Sequence, residues 1–262
     1  MSNLLVVDVG NTNIVLGIYR DDELVNSWRL ATARDRTADE YGILSKQLID
    51  GALDGGLEGA IVGSVVPPLN TAMSWMINHY FGIEPMFVEP GVKTGIAIRV
   101  DNPQEVGADR IVNCVAAHDR FGGPTIIVDF GTATTFDVVT AEAEYVGGAI
   151  APGVNISADA LFARAARLTR VDIKRPAHVI GTNTIVNVQS GLYYGYLGLV
   201  DGILTRMKRE LPDLKRVIAT GGLASLFAEE SEHIDEVDPE LTLKGLKLIY
   251  DRNRGARKGR AR

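Results

Sequence analysis

"LLVVDVGNTNIVLGIYRDDELVNSWRL", residues 4–30, and "TIIVDFGTATTFDVVTAEAEYVGGAI", residues 125–150, are two versions of one pattern. Each opens with an unbroken apolar run, which predicts a strand covered on both faces. Each then meets Asp-x-Gly and a group of small hydroxyl or amide residues, turns into a second β-branched strand, and returns through an acidic turn to a third. Asp129 stands where Asp8 stood, almost half a chain later, and that period predicts two copies of one αβ unit.

Outward from these stretches the pairing continues. "IVGSVV" at 61–66 and "VIATGG" at 217–222 are short apolar strands ending in small residues. Helical patterns flank the first at 37–53 and 67–81, and the second at 186–211 and 223–230. Each half then runs strand, strand, strand, helix, strand, helix, an order that predicts a mixed sheet covered by crossover helices. The seam is expected between Phe121 and Pro124, giving domains 1–121 and 122–253 with a basic, disordered tail at 254–262.

Composition bounds the function. The chain has 262 residues, enough for one large domain or two smaller ones, and a formal charge of -6 that argues against a general nucleic-acid binder. Residues 252–262 hold six basic side chains and no acid, and a solvated terminus is a better reading of them than a nucleic-acid arm. The single cysteine, Cys114, is expected to be a small buried thiol and fits a reducing compartment. No apolar run reaches the length of a membrane span, and no signal pattern opens the chain, so a cytoplasmic protein without a membrane partner is expected. Four scattered histidines with no zinc-ligand set of carboxylates or thiols at ligand spacing predict no zinc site, and no G-x4-G-K-[ST] run occurs.

The Asp-x-Gly turns carry the chemistry. After Asp8 come Gly10, read as tolerating positive φ and close approach, and Asn11, Thr12 and Asn13, whose amides and side chains donate hydrogen bonds. Turn donors beside a carboxylate suit a phosphate that carries a divalent cation, with Asp8 facing the metal directly or through water. One such turn is equally well a hairpin; a second at Asp129, with Thr132, Thr134 and Thr135, favours phosphate binding. The Gly221–Gly222 pair offers bare backbone to a flat base and ribose, or simply starts a helix.

Paired turns of this kind with a later glycine-rich turn resemble the actin, hexokinase and Hsp70 superfamily of ATP-dependent phosphotransferases and ATPases. That resemblance implies an α/β chain of two duplicated actin-like, ribonuclease H-like domains with a nucleotide cleft between them. The strings "DVGNTN" (8–13), "NPQEVGADRIVN" (102–113), "DFGTATTFDVV" (129–139), "GGAIAPG" (147–153) and "GTNTIVNVQSGLYYGY" (181–196) are together similar to the type III pantothenate kinase family, and "DPELTLKGLKLIYDRN" (238–253) is similar to its C-terminal helix.

The family resemblance implies ATP-dependent phosphorylation of pantothenate, the first step of coenzyme A synthesis. It implies ATP contacts at Asp8, Val9, Gly10, Asn11, Thr12, Asn13, Gly131, Thr132, Gly221 and Gly222, with magnesium at Asp8. It implies pantothenate contacts at Val100, Gly107, Ala108, Asp109, Arg110 and Thr184, with Asp109 as the base, and a monovalent cation, potassium or ammonium, at Asp129. Where the family commonly carries tyrosine before the "DNP" stretch, this chain has Val100, which puts substrate affinity in question.

Residue chemistry agrees with parts of this and leaves others open. Pro103 predicts an extended approach to a helix with Val106, Ile111, Val112, Val115 and Ala116 on one face. From spacing alone Asp109 favours the positive helix terminus, which would keep it ionised near pKa ~4, and Arg110 pairs with a surface acid. Gly191, Gly195, Gly198 and Gly202 form a smooth stripe along one helix, which asks for another backbone; the resemblance favours a second subunit, a homodimer. Two other readings are another small-molecule kinase of the superfamily, supported by Val100, and a non-catalytic nucleotide or metabolite sensor, supported by the basic tail alone.

Overall fold

The computed structural model describes residues 3–53, 55–165 and 168–257. They fall into two compact units. The first opens with β1 (Asn3–Val9), β2 (Asn13–Arg20), β3 (Glu23–Ala31), α1 (Ala38–Asp50), β4 (Gly59–Ser64), α2 (Pro67–Phe81) and β5 (Met86–Phe87). Its sheet order is β3-β2-β1-β4-β5, with β1, β2 and β3 antiparallel and β4 and β5 added parallel. The apolar run of β1 is the central strand, as continuous burial requires.

Strand alternation divides the two faces of this sheet. Leu5, Val7, Val9, Ile14, Leu16 and Ile18 point to one side and pack with Tyr41 and Ile49 of α1 and Met73 and Ile77 of α2. Each such side chain contributes about 1.5–3 kcal/mol by leaving water. "TADE" starts α1 as a capping box: the Glu40 N–H donates to Thr37 Oγ1 at 3.3 Å, and the Thr37 N–H donates to Glu40 Oε2 at 2.7 Å. Asp8 belongs to the other face, in register with Val15 on β2 and Gly63 on β4.

Strand β6 (Ala97–Ile98), a 3-10 turn at Pro103–Glu105 and α3 (Ala108–Phe121) follow. The 3-10 turn replaces the extended segment expected at Pro103; proline occupies its first turn, where a missing N–H costs nothing. Ile111, Val112, Val115 and Ala116 are buried as the periodicity predicts, whereas Val106 precedes the helix and is half-buried; Cys114 is fully buried.

The second unit repeats the plan with β7 (Thr125–Phe130), β8 (Ala133–Val139), β9 (Glu144–Pro152), α4 (Val154–Arg164), α5 (Thr184–Glu210), β10 (Arg216–Gly221), α6 (Ala224–Ala228) and β11 (Glu236–Val237). Its sheet order is β11-β10-β7-β8-β9-β6, again antiparallel through β7, β8 and β9 and parallel through β10 and β11. Val128, Phe130 and Phe136 meet Tyr193, Val200 and Phe227 in its core, where Phe130 and Phe227 stack at 5.3 Å. Helix α4 departs from the expected order: it is short and only Val154 and Ala158 are buried, so its apolar period is weak.

The units do not follow one cut of the chain. The first holds the described residues of Met1–Ala97, Asp101–Ala116 and Leu241–Arg262; the second holds Ile98–Val100 and Ala117–Glu240. Helix α3 begins in one and ends in the other, so the division falls inside the helix and not at residues 121–124. The last helix, α7 (Leu241–Arg257), belongs to the first unit and not to the expected 122–253 domain. It covers the Asp8 face of the sheet, with Leu243 beside Gly17 and Leu246 beside Gly63. Asn253 ties its end to Lys93, donating to the Lys93 carbonyl at 2.9 Å. Residues 254–257 of the expected disordered tail are therefore helical, and 258–262 lie outside the described residues.

Candidate active site

In both units one aspartate interrupts a buried strand at the same place. Asp8 is the single position of β1 that is not buried, and Asp129 is the single such position of β7. Each stands at the carboxyl end of its strand, beside a parallel neighbour, where ligands of open α/β sheets gather.

The first turn is tight. The Gly10 N–H donates to the Asn13 carbonyl at 2.9 Å, which leaves Asn11 and Thr12 exposed at the tip. Gly10 does not take the positive φ expected of it; a Cβ there would come within 3.0 Å of the Asn13 oxygen, so closeness and not handedness selects glycine. The loop after β3 braces this turn: the Thr32 N–H donates to the Thr12 carbonyl at 3.0 Å, Thr32 Oγ1 donates to the Gly10 carbonyl at 2.7 Å, and Arg34 Nη2 donates to Asn11 Oδ1 at 3.3 Å. Sequence reasoning missed residues 32–34, because the brace depends on the register of β3 and no motif marks it.

Asp109 comes to the same end of the first sheet. The Val65 N–H, just past β4, donates to the Val9 carbonyl at 3.0 Å; a Cβ on Gly107 would lie 3.4 Å from Val65 Cγ1 and 2.5 Å from Asp109 Oδ1. The first unit thus brings together Asp8, Val9, Gly10, Asn11, Thr12 and Asn13 with Gly107, Ala108, Asp109 and Arg110, the latter four half-buried.

The electrostatics of Asp109 correct the expectation of an ordinary carboxylate. Burial pushes its pKa above the usual 3.8, and this outweighs the lowering by the Arg110 N–H, which donates to Oδ1 at 2.8 Å, and by the Arg110 charge. A carboxylate that binds its proton more tightly is, once ionised, a better proton acceptor.

The second turn has its own supports. The Gly131 N–H donates to the Ala133 carbonyl at 3.1 Å, and Gly131 and Thr132 are exposed. Gly153, at the start of α4, lies so near that any Cβ would collide with the Thr132 carbonyl, which explains the last glycine of "GGAIAPG". Gly221 ends β10 with φ +91, and a Cβ there would fall 2.5 Å from Asp129 Oδ1. A side chain at position 221 would press on the Asp129 carboxylate, so glycine is required there. Carboxylate oxygens so placed fit hard cations such as magnesium or potassium.

The other substrate candidates also lie in the second unit. Val100 is half-buried, with its Cγ1 3.7 Å from where a Gly147 Cβ would be. Thr184 is exposed in the first turn of α5, whose cap Asn183 accepts from the Val186 N–H at 3.0 Å. Gly222 follows Gly221 and is exposed.

Among the described residues no helix is long and apolar enough to cross a membrane. A solved structure of a Baf family transcriptional activator from Campylobacter jejuni superposes with a TM-score of 0.59 at 18% identity, covering 96% of this chain and 99% of that one. A ROK family glucokinase from Streptomyces griseus, solved with glucose and AMPPNP, gives 0.51 at 13% identity over 97% and 100% of the two chains. At these identities the likeness shows the fold alone, two mixed α/β units. The family model for type III pantothenate kinase matches residues 4–206. A type III pantothenate kinase from Geobacter sulfurreducens is 57% identical over 253 residues, 96% of this chain and 99% of that protein. Strand-end aspartates, braced turns and a half-buried acid near the first of them accompany that match, and the chain belongs to the type III pantothenate kinase family.

Proposed function

We propose that the protein transfers the γ-phosphoryl group of ATP to the 4'-hydroxyl of pantothenate, beginning coenzyme A synthesis in the cytoplasm. Family membership supports the activity; the observation that carries the mechanism is Asp109, raised in pKa, at the same strand ends as Asp8 and its turn. The exposed tips at Asn11, Thr12, Gly131 and Thr132 hold phosphate oxygens, and the Gly221–Gly222 backbone lies against the nucleoside. Asp8 would hold magnesium, directly or through water, and Asp129 would hold potassium or ammonium. Magnesium, when bound, neutralises charge that builds on the phosphate oxygens.

Asp109 accepts the hydrogen bond of the 4'-hydroxyl and aims its oxygen at the γ-phosphorus. A new P–O bond forms, the bond to the ADP oxygen breaks, and the hydroxyl proton passes to an Asp109 oxygen. In a loose transition state orientation counts for more than early deprotonation, so a carboxylate suffices. Arg110 offers a paired grip on the pantothenate carboxylate, with Gly107, Ala108, Val100 and Thr184 lining the rest.

The protein acts as a homodimer. Among the described residues a Cβ on Gly191, Gly195 or Gly198 of α5 would meet nothing within 4 Å, although each glycine costs that helix about 1 kcal/mol against alanine. Ile185 on the same helix is 52% exposed and Ile150 on β9 is 64% exposed, an apolar surface that a second copy would cover.

A second reading, phosphorylation of a related hydroxy acid, is favoured by Val100 alone. Purified protein with ATP, magnesium and pantothenate should release ADP, faster in potassium than in sodium. Inertness in both salts would remove the kinase reading, and a different hydroxy acid turned over faster at equal concentration would replace pantothenate.

A further inference from the structure

We infer that Arg34 is a phosphate-binding residue of the first turn, a role that rests on the nucleotide reading of that turn. The loop after β3 is tied to three successive turn residues: Thr32 to Gly10 and Thr12, and Arg34 to Asn11. It is anchored from behind as well. The Ala33 N–H donates to the Tyr41 hydroxyl at 2.9 Å, and that hydroxyl donates back to the Ala33 carbonyl at 2.9 Å, while the Tyr41 ring is fully buried. Residues 32–34 are therefore held in place by a core side chain on one side and by the turn on the other.

The two arginines of this loop have different surroundings. Arg36 lies over the Tyr41 ring, 5.2 Å from its centroid, and serves the packing. Arg34 is exposed, and among the described residues no carboxylate lies within ion-pair distance of it; its polar partner is the neutral amide of Asn11. A guanidinium fixed beside an anion-binding turn, without a resident anion, has donors to spare for phosphate oxygens. The backbone that carries it is held before the ligand arrives, which lowers the cost of ordering the loop on binding.

The test uses the full chain and two probes, inorganic triphosphate and adenosine, by calorimetry. Arg34→Ala should weaken triphosphate binding about ten- to hundredfold, as loss of charged hydrogen bonds does. It should leave adenosine binding and the melting temperature unchanged, and Arg34→Lys should recover part of the loss. Equal triphosphate affinity in parent and Arg34→Ala would overturn the inference even if pantothenate is phosphorylated. Arg34-dependent triphosphate binding without pantothenate turnover would sustain it and refute the proposed reaction. A parent chain that binds no triphosphate would refute both.

Discussion

Replacing Gly221 with alanine probes the second turn most sharply. The backbone there sits at φ +91, where a side chain costs about 1–2 kcal/mol. The new methyl would stand 2.5 Å from Asp129 Oδ1 and 2.7 Å from the backbone nitrogen and carbonyl carbon of Phe130. Backbone atoms of Phe130, paired to β10 on one side and to Thr134 of β8 on the other, cannot swing aside as a flexible side chain can, so overpacking of about 1–3 kcal/mol adds to the strain.

Together the two effects give about 2–5 kcal/mol, which for a chain of this size is a loss of roughly 4–20 °C in melting temperature. Gly51→Ala is the control, since Gly51 has φ -75 and, among the described residues, nothing within 4 Å of its would-be Cβ; it should change stability by less than about 1 kcal/mol. Scanning calorimetry of both variants, with initial rates in potassium and in sodium, supplies the readout. Gly221→Ala should melt early and lose its preference for potassium, because Asp129 is the group displaced. If it melts with Gly51→Ala and keeps the potassium response, neither the strain nor the role of Asp129 is as described.

Other perturbations give equally specific outcomes. The pKa of Asp109 is raised in the folded chain, so the folded state holds that proton more tightly than the unfolded state. The resulting penalty is absent below 3.8, grows between 3.8 and the raised value, and is fully present above the raised value. Asp109→Asn should therefore melt higher than the parent at pH 7, by an amount that shrinks as pH falls, and the acid limb of parental kcat should lie above pH 3.8. A variant less stable than the parent at pH 7 would contradict the burial effect. Gly195→Leu should favour the isolated α5 helix by about 1 kcal/mol yet convert a dimer to a monomer in sedimentation, and a variant still dimeric would remove the glycine stripe from the interface.

Much of this was legible in the amino-acid sequence because it is local. The apolar run into Asp8 and again into Asp129 announces a strand whose carboxyl end is polar, and the duplicated order of strands follows. What could not be read depends on which distant segments meet. Helix α7 is amphipathic wherever it packs, and only the three-dimensional arrangement puts Leu246 against Gly63 on the Asp8 face. The brace from Thr32 and Arg34 exists because β3 pairs in one register with β2. The helix terminus argued for an ordinary Asp109, whereas burial, a tertiary property, reverses the sign of its shift. Glycines misled in a similar way: Gly10 serves close approach, while the left-handed residue of the site is Gly221.

The most direct test follows the phosphorus atom itself. Incubated with ATP, magnesium, potassium and pantothenate, the parent chain should yield ADP and 4'-phosphopantothenate in equal amounts by phosphorus NMR. Asp109→Asn should yield neither while binding ATP with nearly parental affinity. Phosphopantothenate made by Asp109→Asn at the parental rate would show that the hydroxyl proton goes elsewhere, and its absence from the parent reaction would show that this chain does not phosphorylate pantothenate.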